Sequence, residues 1–321
     1  MKILVIGGAG YIGSHVSKEL LKQGNEITIF DNLSSGLKEN ILAGMNFIQG
    51  DITHPEEITS ALKEQDAVIY LAAFKSVGES MEHPEKYSIN NLYGAINILN
   101  GMCEMGVKKI IFSSSAATYG EPKYLPIDEN HPTEPINYYG FTKLEIEKIL
   151  QWYSQLKEIR FAALRYFNAV GYDPEGELQG LEKNPQNLIP VVMEAIAGKR
   201  EKLQIFGNDW PTPDGTCIRD YIHVSDLAIA HAKALNYLIK ENKDLTANLA
   251  TGAGLSVKEI IDEAKAQSGI DFQVEIAPRR AGDPSELYAS NQLAQKLLNW
   301  QPQYSDLKTV IATTLKAYGL K

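Results

Sequence analysis

A chain of 321 residues with 31 basic and 40 acidic side chains, formal net charge −9 at pH 7, has length for about two domains and is too acidic for nucleic acid or an anionic membrane as its main partner. Its two cysteines, Cys103 and Cys217, stand far apart, and its six histidines form no His-Glu-x-x-His, so the pattern offers neither a redox pair nor a zinc site and no metal is expected. No apolar run is long enough to span a bilayer, and Met1-Lys2-Ile3 leads into glycines without a leader's cleavage site, which predicts a cytoplasmic enzyme.

Lys2–Ile6 is a short, branched apolar run followed by Gly7-Gly8-Ala9-Gly10-Tyr11-Ile12-Gly13 and a helical pattern through Val16, Leu20 and Leu21. This predicts a strand, a tight turn and a helix. Glycines at 7, 10 and 13 remove side chains where a backbone must turn sharply and approach a pyrophosphate, whose charge then meets the helix N-terminus. A second strand-like run, 26–30, ends in Asp31, at the distance where a carboxylate accepts hydrogen bonds from an adenosine ribose. That acid favours NAD over NADP, because a 2′-phosphate would meet like charge; Lys38 nearby weighs the other way.

Strand-like segments recur at 46–49, 67–71, 109–112 and 161–165, each separated from the next by a helical pattern. The alternation predicts an α/β fold, a Rossmann-type doubly wound parallel sheet. Helical patterns at 87–103 and 144–156 are too apolar for one buried face, which suits either ordinary core helices or contact with a partner subunit. After residue 168 the rhythm breaks into Gly/Pro/Asp/Asn-rich loops at 171–185 and 207–215, among shorter helices such as 190–197 and 257–267. The expected division is an NAD-binding domain over 1–168 and a smaller C-terminal substrate domain over 169–321, with interleaved segments.

Within Asn137-Tyr138-Tyr139-Gly140-Phe141-Thr142-Lys143, Tyr139 stands four residues before Lys143 on one helix face. Ile146, Leu150 and Tyr153 continue that line, which aims both polar groups inward. A phenol with a reference pKa of about 10 is a poor base at neutral pH unless a cation stabilises the phenolate, and Lys143 can supply that cation. Alone, the spacing fits a core tyrosine beside a snorkelling lysine far better. The dinucleotide turn upstream decides for the base. Ligands of open parallel sheets bind beyond the carboxyl ends of the strands, which singles out Asp51-Ile52, Ala72-Ala73-Phe74-Lys75, Ser113-Ser114-Ser115 and Tyr166-Phe167-Asn168. Ser113 and Ser114 suit turn backbones, and Ser115 is the candidate site residue.

The glycine turn ending Gly-Tyr-Ile-Gly-Ser-His, Ser-Ser-Ser-Ala with Thr118-Tyr119-Gly120, the Tyr139/Lys143 pair, Arg165-Tyr166-Phe167-Asn168, Gly207-Asn208-Asp209, Arg219-Asp220-Tyr221-Ile222-His223 and Arg280-Ala281-Gly282-Asp283 form one ordered set. Almost from end to end, the chain resembles the UDP-glucose 4-epimerase family of extended short-chain dehydrogenases/reductases. The resemblance implies a tightly held NAD, reduced and reoxidised within each turnover. Tyr139 would take the proton of the sugar's 4-hydroxyl, and a 4-keto sugar would turn over in the site. Ser115 would hydrogen-bond the 4-oxygen, while Lys143 would hold the nicotinamide ribose and lower the Tyr139 pKa. The resemblance puts Gly7, Gly10, Tyr11, Ile12 and Gly13 in the phosphate turn, and Asp31, Asn32, Asp51, Ile52, Lys75, Asn90 and Phe167 along the cofactor. For the UDP-sugar it implies that Arg219 and Arg280 clamp the diphosphate, that Asn168 and Asn187 touch diphosphate or sugar, and that Asp283 meets the uridine ribose. The backbone near Phe206 would meet uracil, although the Phe206 ring equally suits the core. Arg279 has no such support and is read as surface. A homodimer is also implied.

Two departures stand out. Ile6 occupies the place of a threonine in many relatives, a change worth about 1 kcal/mol of turn hydrogen bonding. Four residues after Asp283, a tyrosine resembles relatives restricted to glucose and galactose, and a small residue those admitting N-acetyl sugars. Leu287 is intermediate, which makes UDP-glucose/UDP-galactose the expected main pair and leaves room for some activity on the N-acetylated pair. Among rival readings, a nucleotide-sugar 4,6-dehydratase would carry an Asp-Glu pair where this chain has Ala116-Ala117. A UDP-glucuronate 4-epimerase is excluded less firmly. A non-catalytic dinucleotide sensor is opposed by the intact Ser115, Tyr139 and Lys143.

Overall fold

Ile3, Leu4, Val5 and Ile6 are all fully buried, so the first strand has no face left for water. Such strands belong in a parallel sheet covered by helices on both sides. The computed structural model describes residues 1–182, 185, 187–280 and 283–320, so Ala281 and Gly282 of the last motif lie outside the described residues. In it, β1 (Lys2–Ile6), β2 (Glu26–Asp31), β3 (Asn46–Gln49), β4 (Ala67–Tyr70), β5 (Lys109–Ser115) and β6 (Arg160–Tyr166) join the strand Leu245–Leu249 in one sheet. Every neighbouring pair is parallel, in the order Leu245–Leu249, β6, β5, β4, β1, β2, β3. Chain direction across the sheet reverses between β1 and β4, the place where open α/β sheets hold ligands.

Side chains alternate along each strand, and the two faces acquire separate cores. Ile3, Val5, Ile27, Ile29 and Ile69 pack with Val16 and Leu20 of α1 (Tyr11–Lys22) and with Leu227 and Leu235 of the helix Val224–Glu241. Leu4, Ile6, Val68 and Phe112 pack with Ile98 and Met102 of the helix Gly94–Met105 and with Ile146 and Leu150 of the helix Tyr138–Lys157.

Three expectations need adjustment. The sheet is not closed by residue 168, because its edge strand Leu245–Leu249 and the helix Val224–Glu241 come from later chain. Leu245-Thr246-Ala247-Asn248-Leu249 does alternate apolar and polar residues, but over five positions only, too short a run to stand out beside the helical pattern before it. The helical pattern at 87–103 is divided: a π-helical stretch, Ser88–Tyr93, precedes Gly94–Met105. Within it, Asn91 accepts from the Phe74 N–H at 3.0 Å and donates to the Phe74 carbonyl at 3.1 Å and to Thr142 Oγ1 at 3.2 Å, tying the loop after β4 to the Tyr138–Lys157 helix. Finally, Ser113, Ser114 and Ser115 pair with Leu164, Arg165 and Tyr166 in the β5–β6 ladder instead of forming a turn. Their backbones pair with β6, so the Ser113 and Ser114 hydroxyls reach other side chains, while Ser115 Oγ accepts from the Ala117 N–H at 3.2 Å.

A second core gathers the helices Leu188–Ile196, Val257–Ser268 and Leu307–Ala317 against the paired strands Lys202–Phe206 and Gln273–Ala277. Nearby, Ile218–Arg219 pairs with Glu286–Leu287, which sets Arg219 beside Leu287 across a ladder rung. Leu150 pins the Tyr139 helix to the sheet with its side chain almost wholly buried. Replacing it, Leu150→Ala, is expected to cost about 2–5 kcal/mol in urea unfolding, with turnover of the folded fraction falling as the helix loosens.

Candidate active site

At the carboxyl ends of the sheet strands lies a cleft of about 1260 Å³. Its floor is the first glycine turn. Gly7 has φ +82°, and a Cβ there would lie 2.7 Å from the Ala72 nitrogen; a Cβ on Gly13 would lie 2.1 Å from the Gly7 carbonyl oxygen. Only glycine permits both approaches. Gly10 caps α1 without a side-chain bond, so the first-turn N–H groups of Tyr11, Ile12 and Gly13 are left for an anion at the positive end of the helix. Asp31 ends β2 and borders the same space, its carboxylate accepting from the Ala9 N–H at 3.0 Å and the Leu33 N–H at 2.8 Å. Burial raises its pKa and those two N–H groups oppose the rise. Lys38 is exposed and outside the lining, so it does not stand ready for a 2′-phosphate there. A side-chain-free cradle, a helix terminus and a ribose-facing acid fit NAD.

Asn32, Ile52, Lys75, Asn90 and Phe167 also line the cleft. Lys75 pairs with Glu182, and Asn90 Nδ2 donates to Asn91 Oδ1 at 2.9 Å. Asp51 is not in the lining. Its carboxylate accepts from Asn32 Nδ2 at 2.8 Å and from both the N–H and hydroxyl of Thr53, so it orients Asn32 from behind.

Asn137 starts the next element, its Oδ1 accepting from the Gly140 N–H at 2.8 Å as an N-cap for Tyr138–Lys157. Gly140 is required by proximity: a Cβ there would stand 2.3 Å from the Ala117 carbonyl oxygen. That close approach brings Tyr139 against the end of β5, where Ser115 lies. Lys143, 3% exposed, donates from Nζ to the Ser113 carbonyl at 2.8 Å. The amine sits 4.8 Å from the Phe112 ring centroid and 5.8 Å from that of Tyr139. Ser115, Tyr139 and Lys143 thus share one wall of the cleft.

The electrostatics differ from the expectation that Lys143 lowers the Tyr139 pKa. Burial raises the phenol's pKa, and the opposing influence is a hydrogen bond with Ser115. Burial also brings Lys143 down to about 7, with Glu147 opposing. An amine turned toward a carbonyl in a dry wall holds its own proton weakly, and so stabilises a phenolate weakly.

Across the cleft stand Asn168, Asn187, Arg219, Asp283 and Leu287. Asn168 Nδ2 donates to the Asp220 carbonyl at 2.9 Å. Asn187 occupies the N-cap of Leu188–Ile196 without a side-chain cap bond. The Arg219 guanidinium donates to the Ile218 carbonyl at 2.9 Å and lies 3.8 Å from Asp283 Oδ1. Two expected contributors stay out of the lining: the Arg280 guanidinium stacks on the Phe206 ring at 3.7 Å, so each occupies the other. Arg279 stacks likewise on Trp210 at 4.1 Å and bonds Asp209 Oδ1 at 2.8 Å.

Tyr166, singled out by its place after a strand, lines the wall, while sequence reasoning passed over Glu147, a carboxylate one turn beyond Lys143 and 2% exposed. A charge inside the stripe Ile146, Leu150, Tyr153 was the available signal. Ser113 and Ser114 hold the wall from behind. His231 Nδ1 faces the Leu227 carbonyl at 2.7 Å, leaving Nε2 to accept from Ser113 Oγ at 3.1 Å, and Ser114 Oγ donates to Glu147. Among the described residues one acidic cluster has metal-like spacing, Asp173, Glu175 and Glu177, but Lys18 Nζ already lies 2.5–2.8 Å from all three carboxylates.

Because Lys143 titrates near 7 when folded and near 10.5 ordinarily, the unfolded chain binds the extra proton between those values, and the contribution of this group to stability rises with pH across that window. Lys143→Met is therefore expected to unfold at higher temperature than the parent at pH 6–7, with the difference shrinking toward pH 10 in thermal melts.

Residues 3–250 match the NAD dependent epimerase/dehydratase family. The UDP-glucose 4-epimerase of Halalkalibacterium halodurans is 46% identical over 314 residues, 97% of this chain and 93% of that protein. The UDP-glucose 4-epimerase of Lacticaseibacillus casei is 44% identical over 316 residues, 98% and 95% of the two chains. Among solved structures, UDP-glucose 4-epimerase from Brucella ovis in complex with NAD superposes with TM-score 0.97 at 43% identity, covering 100% of this chain and 99% of its own. The UDP-Glc/GlcNAc 4-epimerase from Campylobacter jejuni superposes with TM-score 0.87 at 42% identity, with the same coverage. The chain belongs to the NAD dependent epimerase/dehydratase family.

Proposed function

From that membership we propose that the chain is a UDP-glucose 4-epimerase, reversibly inverting carbon 4 of UDP-glucose and UDP-galactose with NAD. The observation that carries this reading is one cleft with the glycine cradle at its floor, Ser115, Tyr139 and Lys143 on one wall, and Arg219, Asp283 and Leu287 opposite. The relatives' names supply the substrate class.

The chemistry supplied by NAD when bound is acceptance and return of a hydride at carbon 4, with a 4-keto sugar between. Tyr139 removes the proton of the 4-hydroxyl and later returns it. Ser115 hydrogen-bonds the 4-oxygen and, through its contact with Tyr139, eases the transfer. Positioned proton transfer of this kind contributes about 10²–10⁴-fold. Lys143 orients the ribose beside the reacting centre and, when protonated, favours the phenolate. Along the cofactor run Gly7, Gly10, Tyr11, Ile12, Gly13, Asp31, Asn32, Ile52, Lys75, Asn90 and Phe167, with Asp51 acting through Asn32. Arg219 meets the diphosphate, and Arg280 joins it by leaving Phe206, whose ring and backbone then face the base. A guanidinium suits phosphate because it donates paired bonds. Asn168 and Asn187 contact the sugar side and Asp283 the uridine ribose.

Ala116 and Ala117 line the cleft where elimination would need an acid and a base, which supports epimerisation over dehydration. Leu287 borders the sugar space without a hydroxyl, and the Campylobacter jejuni relative is named for both the plain and the N-acetylated sugar, which supports a secondary activity on the N-acetylated pair. No helix is long and apolar enough to cross a membrane among the described residues, and both cysteines are free, which suits a cytoplasmic setting.

Two copies pair, on this reading, through the helices that the sequence shows as over-apolar. Trp152 and Leu156 are 60% and 69% exposed on one face of Tyr138–Lys157, and Ile89 and Tyr93 are exposed on the stretch Ser88–Tyr93, which leads into the helix Gly94–Met105 that Tyr153 Oη bonds through Asn100 Oδ1. Such a patch marks an interface. Light scattering is expected to give twice the chain mass, and a monomer after Trp152→Glu.

Proton NMR of UDP-galactose with enzyme and no added cofactor is expected to show conversion to UDP-glucose, slower exchange of UDP-N-acetylglucosamine and none of UDP-glucuronate. A 4-keto-6-deoxy product would move the chain to the dehydratases, and no turnover to a dinucleotide sensor. Tyr139→Phe is expected to lose at least about 10²-fold in turnover while still purifying with NAD; near-normal turnover would eliminate Tyr139 as base.

A further inference from the structure

The proton transfer just described uses Tyr139 and Lys143 but leaves unexplained the charge buried behind them. Glu147 accepts from Arg165 Nε at 2.9 Å, from a second guanidinium nitrogen and from Ser114 Oγ. Arg165 is itself buried, its guanidinium stacked 4.8 Å from the Tyr119 ring centroid. Replacing such a pair by apolar side chains of like volume is often neutral or stabilising, so stability does not account for it.

The groups around the Lys143 amine are few. Its own helix supplies Tyr139 and Glu147; β5 supplies the Ser113 carbonyl and the Phe112 ring. From β6 come Tyr166, beside Tyr139, and Arg165, whose charge Glu147 takes up. From the helix Val224–Glu241 comes His231, which burial brings down to about 4 and so keeps neutral. Glu147 is the one carboxylate among these described residues, four residues on from Lys143 and therefore on the same helix face.

We propose that Glu147 is a positioning residue for the reaction: anchored by Arg165 and Ser114, its carboxylate keeps the Lys143 amine protonated beside Tyr139. The proposal rests on the proton-transfer reading above. A buried carboxylate one helical turn from a buried amine favours the cation that burial opposes, and the arginine fixes where that carboxylate points. Without it the amine would give up its proton at lower pH, and the protonated lysine that favours the phenolate would be scarcer.

The test compares the parent enzyme with Glu147→Gln, which keeps the shape and loses the charge, and with the double variant Glu147→Leu/Arg165→Met, which removes both buried charges. Thermal melts, UDP affinity and kcat between pH 5 and 10 are measured for each. Glu147→Gln is expected to bind UDP as tightly as the parent, while the alkaline limb of kcat moves about one unit to lower pH and turnover at pH 8 falls about tenfold. The double variant, which loses the opposing Arg165 charge as well, is expected to melt near the parent and to show a smaller displacement in the same direction. An unshifted limb in Glu147→Gln, or in the double variant where the single one does not fold, overturns the proposal, whether or not kcat falls, because a purely structural pair would change the amount of active enzyme and not its titration. Should the parent itself fail to epimerise, the proton-transfer reading falls first and takes the proposal with it; normal parent turnover with unshifted variants removes only the role given to Glu147.

Discussion

A lysine amine held in a dry wall at the end of a parallel sheet is the constraint on which the rest depends. Lys143 reaches the Ser113 carbonyl because β5 continues to Ser115, and β5 continues because β6 pairs with it that far. The cost of burying the cation appears as a pKa drawn down to about 7. Hydrogen bonds fix the groups around that amine: His231 holds the Ser113 hydroxyl, and Ser114 and Arg165 hold Glu147.

Close backbone approach is the second theme. Gly13 lies against Gly7, Gly7 against Ala72, and Gly140 against Ala117, in each case nearer than any Cβ would allow. These contacts draw α1, the loop after β4 and the Tyr139 helix around one cleft. Site geometry therefore depends on missing side chains as much as on present ones.

Much of this was legible in the chain. The strand, glycine turn and helix over the first two dozen residues carry their periods openly, and Asp31 and the Tyr139/Lys143 spacing follow from local rules. Less legible features share one cause, dependence on distant partners. The five-residue edge strand Leu245–Leu249 is short, and it exists because β6 offers it a ladder. Ser113 and Ser114 read as turn residues until β6 satisfies their backbones. Arg280 and Phe206 read as separate ligand contacts, yet in the folded chain they stack on each other.

Sequence alone determined the alternation of strands and helices and the dinucleotide turn, and it singled out Asp31, Tyr139 and Lys143 as candidates, because each is set by residues within a few positions of one another. Tertiary structure decided how those groups are charged. Protonation depends on burial and on which carboxylate or carbonyl lies near an amine: the carbonyl comes from Ser113, thirty residues before Lys143, and the carboxylate of Glu147 is held by Arg165 from β6. The fold thus turned an expected phenolate beside a firm cation into a raised phenol beside a weakened one.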